Sequence, residues 1–180
     1  MDQLEFSPGT TVCYGLHGKC QVSSIETKQI GDELQSFYLL KVVKSPLARS
    51  NKQEPAIWLP VKSAKDRGLR LPMTREQADE ALKILSSREY YFPLQEAWNT
   101  LHPRLEACMR QEGGVGLAKV FSFLHVLKKK QVVAQPEVNR LTETVEKALM
   151  RELCEATGDA LRVLEARIAK GLKQKLILDQ

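Results

Sequence analysis

Along the first seventy positions, apolar residues come in short runs separated by glycine and polar turns. Thr11 to Tyr14, Lys19 to Glu26, Ser36 to Val43 and Ala56 to Leu59 each have the length and the β-branched or aromatic content of a strand. Gly9, Gly15, Gly18 and Gly31 punctuate them, and that spacing predicts a small barrel or rolled sheet. Between the last two runs, Lys44 to Pro55 is polar and reads as a long hairpin loop.

After Leu71-Pro72-Met73 the pattern takes on the period of a helix. Thr74-Arg75-Glu76-Gln77 has the form of a capping box, in which the Thr74 hydroxyl and the Gln77 amide satisfy each other's backbone. Behind it, Ala78, Ala81, Leu82 and Leu85 mark one face. A second helix carries Leu94, Ala97, Trp98, Leu101 and Leu105, with Pro103 expected to kink or restart it and Gly113-Gly114 to end it. A third carries Leu117, Val120, Phe121, Leu124 and Leu127. Pro136 suits the first turn of a fourth, bearing Val138, Leu141, Val145, Ala148, Leu149 and Leu153. Gly158 separates a fifth, with Leu161, Leu164, Ile168 and Leu172. The prediction is an α+β chain of two domains. Residues 1–72 form the small β barrel or rolled sheet, and residues 73–180 form a compact all-α bundle of about five helices.

Composition narrows the function classes. An apolar fraction of 43% permits real cores, and 27% charged residues keep the surface solvated. No apolar run approaches the roughly 20 residues that a membrane helix needs, so no membrane partner is expected. The start, Met1-Asp2-Gln3-Leu4-Glu5, is acidic and lacks an apolar leader core. Four well-separated cysteines, Cys13, Cys20, Cys108 and Cys154, are too few for a disulfide scaffold. Both features lead to the expectation of a cytoplasmic protein. The net charge of +5 is a mild basic bias, and residues 1–72 contribute 10 Lys/Arg against 7 Asp/Glu. That balance permits a weak phosphate footprint, and it equally suits a merely soluble surface.

No catalytic constellation emerges, so an enzyme, a cofactor and a small-molecule substrate are not expected. There is no phosphate-binding glycine loop and no nucleophile elbow. Cys13, His17 and Cys20 offer three zinc ligands within eight residues, but a structural zinc takes four. Both thiols also fall where strand core residues belong, which makes them small buried side chains. A thiol enzyme would need a base beside a low-pKa cysteine, and none is evident. Lys128, Lys129 and Lys130, with Arg104, are candidate phosphate contacts. The plainer role for the three lysines is a solvated helix end that complements the macrodipole. Trp58 and Trp98 are the aromatics of interest, as core or as contact.

The N-terminal residues resemble a known family. Phe6-Ser-Pro-Gly9-Thr-Thr-Val12-Cys-Tyr14-Gly-Leu-His17-Gly18-Lys-Cys-Gln-Val22 is similar to the opening of the CarD/CdnL family of bacterial transcription regulators. The likeness continues through Ile25 to Ile30, Phe37-Tyr38-Leu39-Leu40, Pro60 to Ala64 and Gly68-Leu69-Arg70. In the helical half it is looser. Trp98 falls where the family carries a tryptophan, and Ala118-Lys119-Val120 then aligns without a gap. Four features depart from the family pattern: Thr10 in place of an aspartate, the longer Lys44 to Pro55 segment, Trp58 where a basic or polar residue is usual, and Asn99-Thr100-Leu101-His102-Pro103 where basic residues are usual.

The resemblance implies a Tudor-like N-terminal module that binds the β subunit of RNA polymerase by pairing sheet edges, with Lys28 and Trp58 at the contact. It implies that the helical domain touches promoter DNA, weakly and largely without sequence specificity, with Trp98 wedged into the minor groove at the upstream fork. Such a protein stabilises the open promoter complex and makes or breaks no bond. The alternative is a polymerase-binding adaptor whose DNA contacts have decayed and whose helical face recruits another protein.

Overall fold

The computed structural model describes residues 6–43, 56–130 and 135–177. The predicted Lys44 to Pro55 loop lies outside the described residues. The chain divides into two compact units, Met1–Pro72 and Met73–Gln180.

In the first unit the strand-forming runs pair into one antiparallel sheet. Its strands are β1 (Thr11–Tyr14), β2 (Gly18–Ile30), β3 (Glu33–Val42), β4 (Ile57–Pro60) and β5 (Leu69–Arg70), in the order β4-β3-β2-β1-β5. Both β4 and β5 are edge strands, and no pairing joins them among the described residues, so the sheet is not closed into a barrel. β2 and β3 run well past the apolar segments that predict them. Their hydrogen-bonded ribbon continues to a two-residue turn at Gly31-Asp32, with Gly31 at φ 62°, because ladder pairing needs only backbone and a suitable turn. The register shifts between Val22 and Ser24, and this bulge changes which residues face inward. Val22 is buried before the shift, and Ile25 packs on the same core after it. Val12, Cys20, Val22, Tyr38, Leu40, Leu59 and Leu69 form that core, closed at one end by Phe6, whose ring meets Tyr38 edge-on at 6.0 Å.

The register also settles the Cys13, His17, Cys20 constellation. Val12 pairs with Cys20, and Cys13 pairs with Lys19. Side chains alternate along a strand, so the two thiols lie on opposite faces of the sheet. Both cysteines are buried, while His17 is exposed and stacks on Tyr14. Among the described residues no group of three His, Cys, Asp or Glu is placed to hold a metal ion.

The second unit has four helices among the described residues: α1 (Arg75–Ser86), α2 (Trp98–Lys130), α3 (Gln135–Thr157) and α4 (Leu161–Ile177). α1 begins with the capping box: the Gln77 N–H donates to the Thr74 hydroxyl at 3.2 Å, and the Thr74 N–H donates to Gln77 Oε1 at 3.0 Å. The range of α2 is broken inside: its two arms, joined across a kink, are the expected second and third helices, the first of them starting at Trp98 rather than Leu94. That element is bent at Gly113, whose φ of 60° and ψ of −128° are non-helical. A straight helix would separate Cys108 and Gly116 by about 12 Å. Instead, a Cβ at Gly116 would lie 2.4 Å from the Cys108 carbonyl oxygen, so the chain turns back sharply. The bend lies at Gly113 and not at Pro103, which occupies the exposed early part of α2 without non-helical angles. Its missing N–H leaves only the carbonyl of exposed Asn99 without that bond.

After the bend, α2 is the centre of the bundle. Val115, Leu117, Ala118, Val120, Phe121, Phe123, Leu124, Val126 and Leu127 are all buried, as expected of a helix covered on most sides. α1, α3 and α4 supply Leu85, Val145, Leu149, Leu153, Leu164 and Leu172 to the same core. Gly158, at φ 75°, ends α3 with its N–H on the Cys154 carbonyl. No helix of the described residues is long and apolar enough to cross a membrane.

Candidate functional site

In the first unit the alternation of β4 builds an outward-facing patch. Leu59 is buried, so Trp58 beside it turns away from the core and is 40% exposed. Trp58 pairs with Leu39 and Pro60 pairs with Phe37, which places half-buried Leu39 and Phe37 on the same outer face. Lys28, on β2, reaches over this face: its Nζ lies 3.1 Å from the centroid of the Trp58 ring. The structure thus brings together the two residues that the resemblance assigns to polymerase, as a cation–π pair. One face of the indole is covered by the ammonium, and the ring still presents substantial surface to solvent. An exposed pair of this kind contributes about 0.5–1 kcal/mol. The outer edge of β4 carries no neighbouring strand among the described residues, and an open edge is a template for strand addition.

In the second unit, Trp98 opens α2 and is half-buried. Four residues on, the imidazole of His102 sits 5.3 Å from it, centroid to centroid, at a 55° tilt. The sequence gives His102 no role by itself, although its place one turn beyond Trp98 is a usable signal. Arg104 does not stand free beside Trp98 as a phosphate contact. Its guanidinium donates to Glu96 Oε2 at 2.5 Å. Glu96 lies just before α2 and Arg104 lies within it, so this ion pair fastens the entry to the helix. Lys128, Lys129 and Lys130 are exposed at the far end of α2, beyond the bend. Lys130 approaches the Tyr90 ring at 5.7 Å.

A cleft of about 290 Å³ lies between the Tyr91-Phe92 segment and the two arms of α2, lined by Arg104, Cys108, Glu112 and Lys119 among others. Lys119 donates to the Glu112 carboxylate, which holds the lysine pKa above its ordinary value. Burial, with the nearby Glu112 carboxylate second, pushes the Cys108 thiol up to about 11. A thiol so raised stays protonated at neutral pH and is a poor nucleophile. Burial likewise raises Cys154. His125 has its pKa lowered, first by burial and then by the charges of Lys129 and Lys128.

Comparison with models of known protein families and with curated proteins finds no match for this chain.

Proposed function

We propose that the protein is a transcription regulator of the CarD/CdnL type. In this reading the first unit is a Tudor-like module that docks on the β subunit of RNA polymerase, and the second unit stabilises the promoter open complex through DNA at the upstream fork. The protein works in the cytoplasm by binding alone, with no bond made or broken. The observation that carries the reading is the Lys28–Trp58 pair, exposed on the outer face next to an open strand edge. Edge pairing supplies backbone hydrogen bonds, and an aromatic anchor supplies hot-spot energy and specificity. The similarity of residues 6–70 to the family opening supports the same assignment. Trp98, half-buried at the first position of α2, has the exposure needed for a wedge that rests on protein and enters DNA. A protein that binds the open complex better than the closed one shifts the population toward open.

The test is the lifetime of the open complex with full-length protein and polymerase. Trp98→Ala is expected to leave polymerase binding intact and to shorten that lifetime. An unchanged lifetime with polymerase bound overturns the wedge, and loss of the fold in the same variant reassigns Trp98 to packing.

One observation favours the adaptor alternative, in which the helical unit recruits a protein instead of DNA. The guanidinium of Arg104, a candidate phosphate contact, is engaged by Glu96. DNA binding at low salt separates the two readings, because phosphate contacts strengthen as counterions are diluted. Absence of any binding by the full chain under those conditions selects the adaptor.

A further inference from the structure

Trp98, His102 and Glu106 lie at successive four-residue steps along the first arm of α2. The buried side of that arm is set by Leu101 and Leu105, both fully inside. Those two leucines fix how the helix is rotated, and the Trp98–His102–Glu106 stripe lies next to them at the margin of the core. Exposure changes along the stripe as the helix turns: Trp98 and His102 are half-buried and Glu106 is exposed. The imidazole meets the indole at 5.3 Å and 55°, within the range of favourable tilted ring pairs. On its other side, His102 Nδ1 stands 4.0 Å from the Glu106 carboxylate. Each side chain therefore limits the rotation of the one before it.

We propose that His102 is a positioning residue for Trp98: with Glu106 behind it, its ring holds the indole in one orientation before DNA arrives. This rests on the wedge reading of Trp98. A side chain that is ordered in advance loses less rotamer freedom on binding than one that must be ordered by the ligand. The geometry also gives the Asn99-Thr100-Leu101-His102-Pro103 turn a specific use. Where basic residues would add phosphate attraction, this chain spends the position four residues beyond the tryptophan on a ring that orders it.

The experiment has two readouts on the full-length protein. The first needs no DNA: the indole N–H signals of Trp58 and Trp98 in an NMR spectrum, with their relaxation. His102→Ala is expected to lower the order of the Trp98 indole and leave Trp58 unchanged. His102→Phe, which keeps a ring at the site, is expected to restore the wild-type order. The second is open-complex lifetime with polymerase. His102→Ala is expected to shorten it about two- to tenfold, the range that loss of one ring–ring contact supports, with recovery in His102→Phe. An unchanged Trp98 signal in His102→Ala overturns the inference whatever happens on DNA. A loosened Trp98 with an unchanged lifetime, on a promoter where Trp98→Ala does shorten it, overturns it as well. If Trp98→Ala itself has no effect on lifetime, the wedge reading fails, and the positioning role in function falls with it even where the NMR shows the ring pair. A fall in melting temperature shared by His102→Ala and His102→Phe assigns His102 to the fold instead.

Discussion

At the scale of single residues, Lys28 and Trp58 are joined as a cation–π pair, and in the proposed docking they would act as one unit. Trp58→Ala should weaken polymerase binding by about 2 kcal/mol, and Lys28→Ala by about 1 kcal/mol or less. Because the ammonium sits on the indole, the double variant should lose little more than Trp58→Ala alone. Strict additivity in that cycle would show that the pair does not act together in binding. Thermal unfolding of Trp58→Ala separates anchoring from packing, since a large fall in stability with unchanged affinity would make the ring structural. His125 carries a different prediction. Its folded-state pKa lies below the ordinary histidine value, so the unfolded chain binds the proton more readily. Its contribution is fully present above about pH 6.5 and is lost as pH falls from there through the folded-state value. Chemical denaturation at pH 7.5 and pH 5.5 should show part of the acid loss removed in His125→Gln. Equal slopes in the two proteins would show that His125 is not responsible.

At the scale of elements, the bend in α2 decides how the bundle packs. Gly113 provides backbone angles that other residues reach only with strain, and Gly116 lets the returning arm pass close to the Cys108 carbonyl. That neighbour is backbone and cannot swing aside. Gly116→Ala should therefore destabilise the second unit by about 1–3 kcal/mol, the usual cost of overpacking, measured by urea unfolding. A change within a few tenths of a kcal/mol would mean that the arms separate freely. Gly114→Ala makes a useful comparison, since the atom nearest its added Cβ is the flexible end of Met73. The glycine pair was legible in the sequence as a stop signal. It does end the first arm of α2, and the structure adds that the chain turns back there, because the arms on either side each hold an apolar face that they can bury against each other. The ends of β2 and β3 show the opposite limit. Glu26 to Leu34 has no apolar alternation, yet it is a paired ribbon, held by ladder hydrogen bonds and the turn at Gly31.

At the scale of the whole molecule, each unit has its own core, and the change from strand-like to helical patterning coincides with the division after Pro72. Residues 1–72 should fold alone and pull down the polymerase β subunit without DNA, whereas residues 73–180 should not. The reverse result would sink the assignment of Lys28 and Trp58. The order and type of most elements, the capping box at Thr74 and the buried stripes of the helices followed from the sequence alone, because turn chemistry and periodicity act between residues a few positions apart. Only the tertiary structure decided the two-residue strand β5, the bulge between Val22 and Ser24, the open sheet edge at β4 and the return of α2 at Gly113. It likewise decided that Lys28 lies on Trp58, and that Arg104 is taken by Glu96. Most of these depend on which distant strand, arm or charge comes within reach after packing. Register and proximity of that kind are set by the whole core, and no local pattern encodes them.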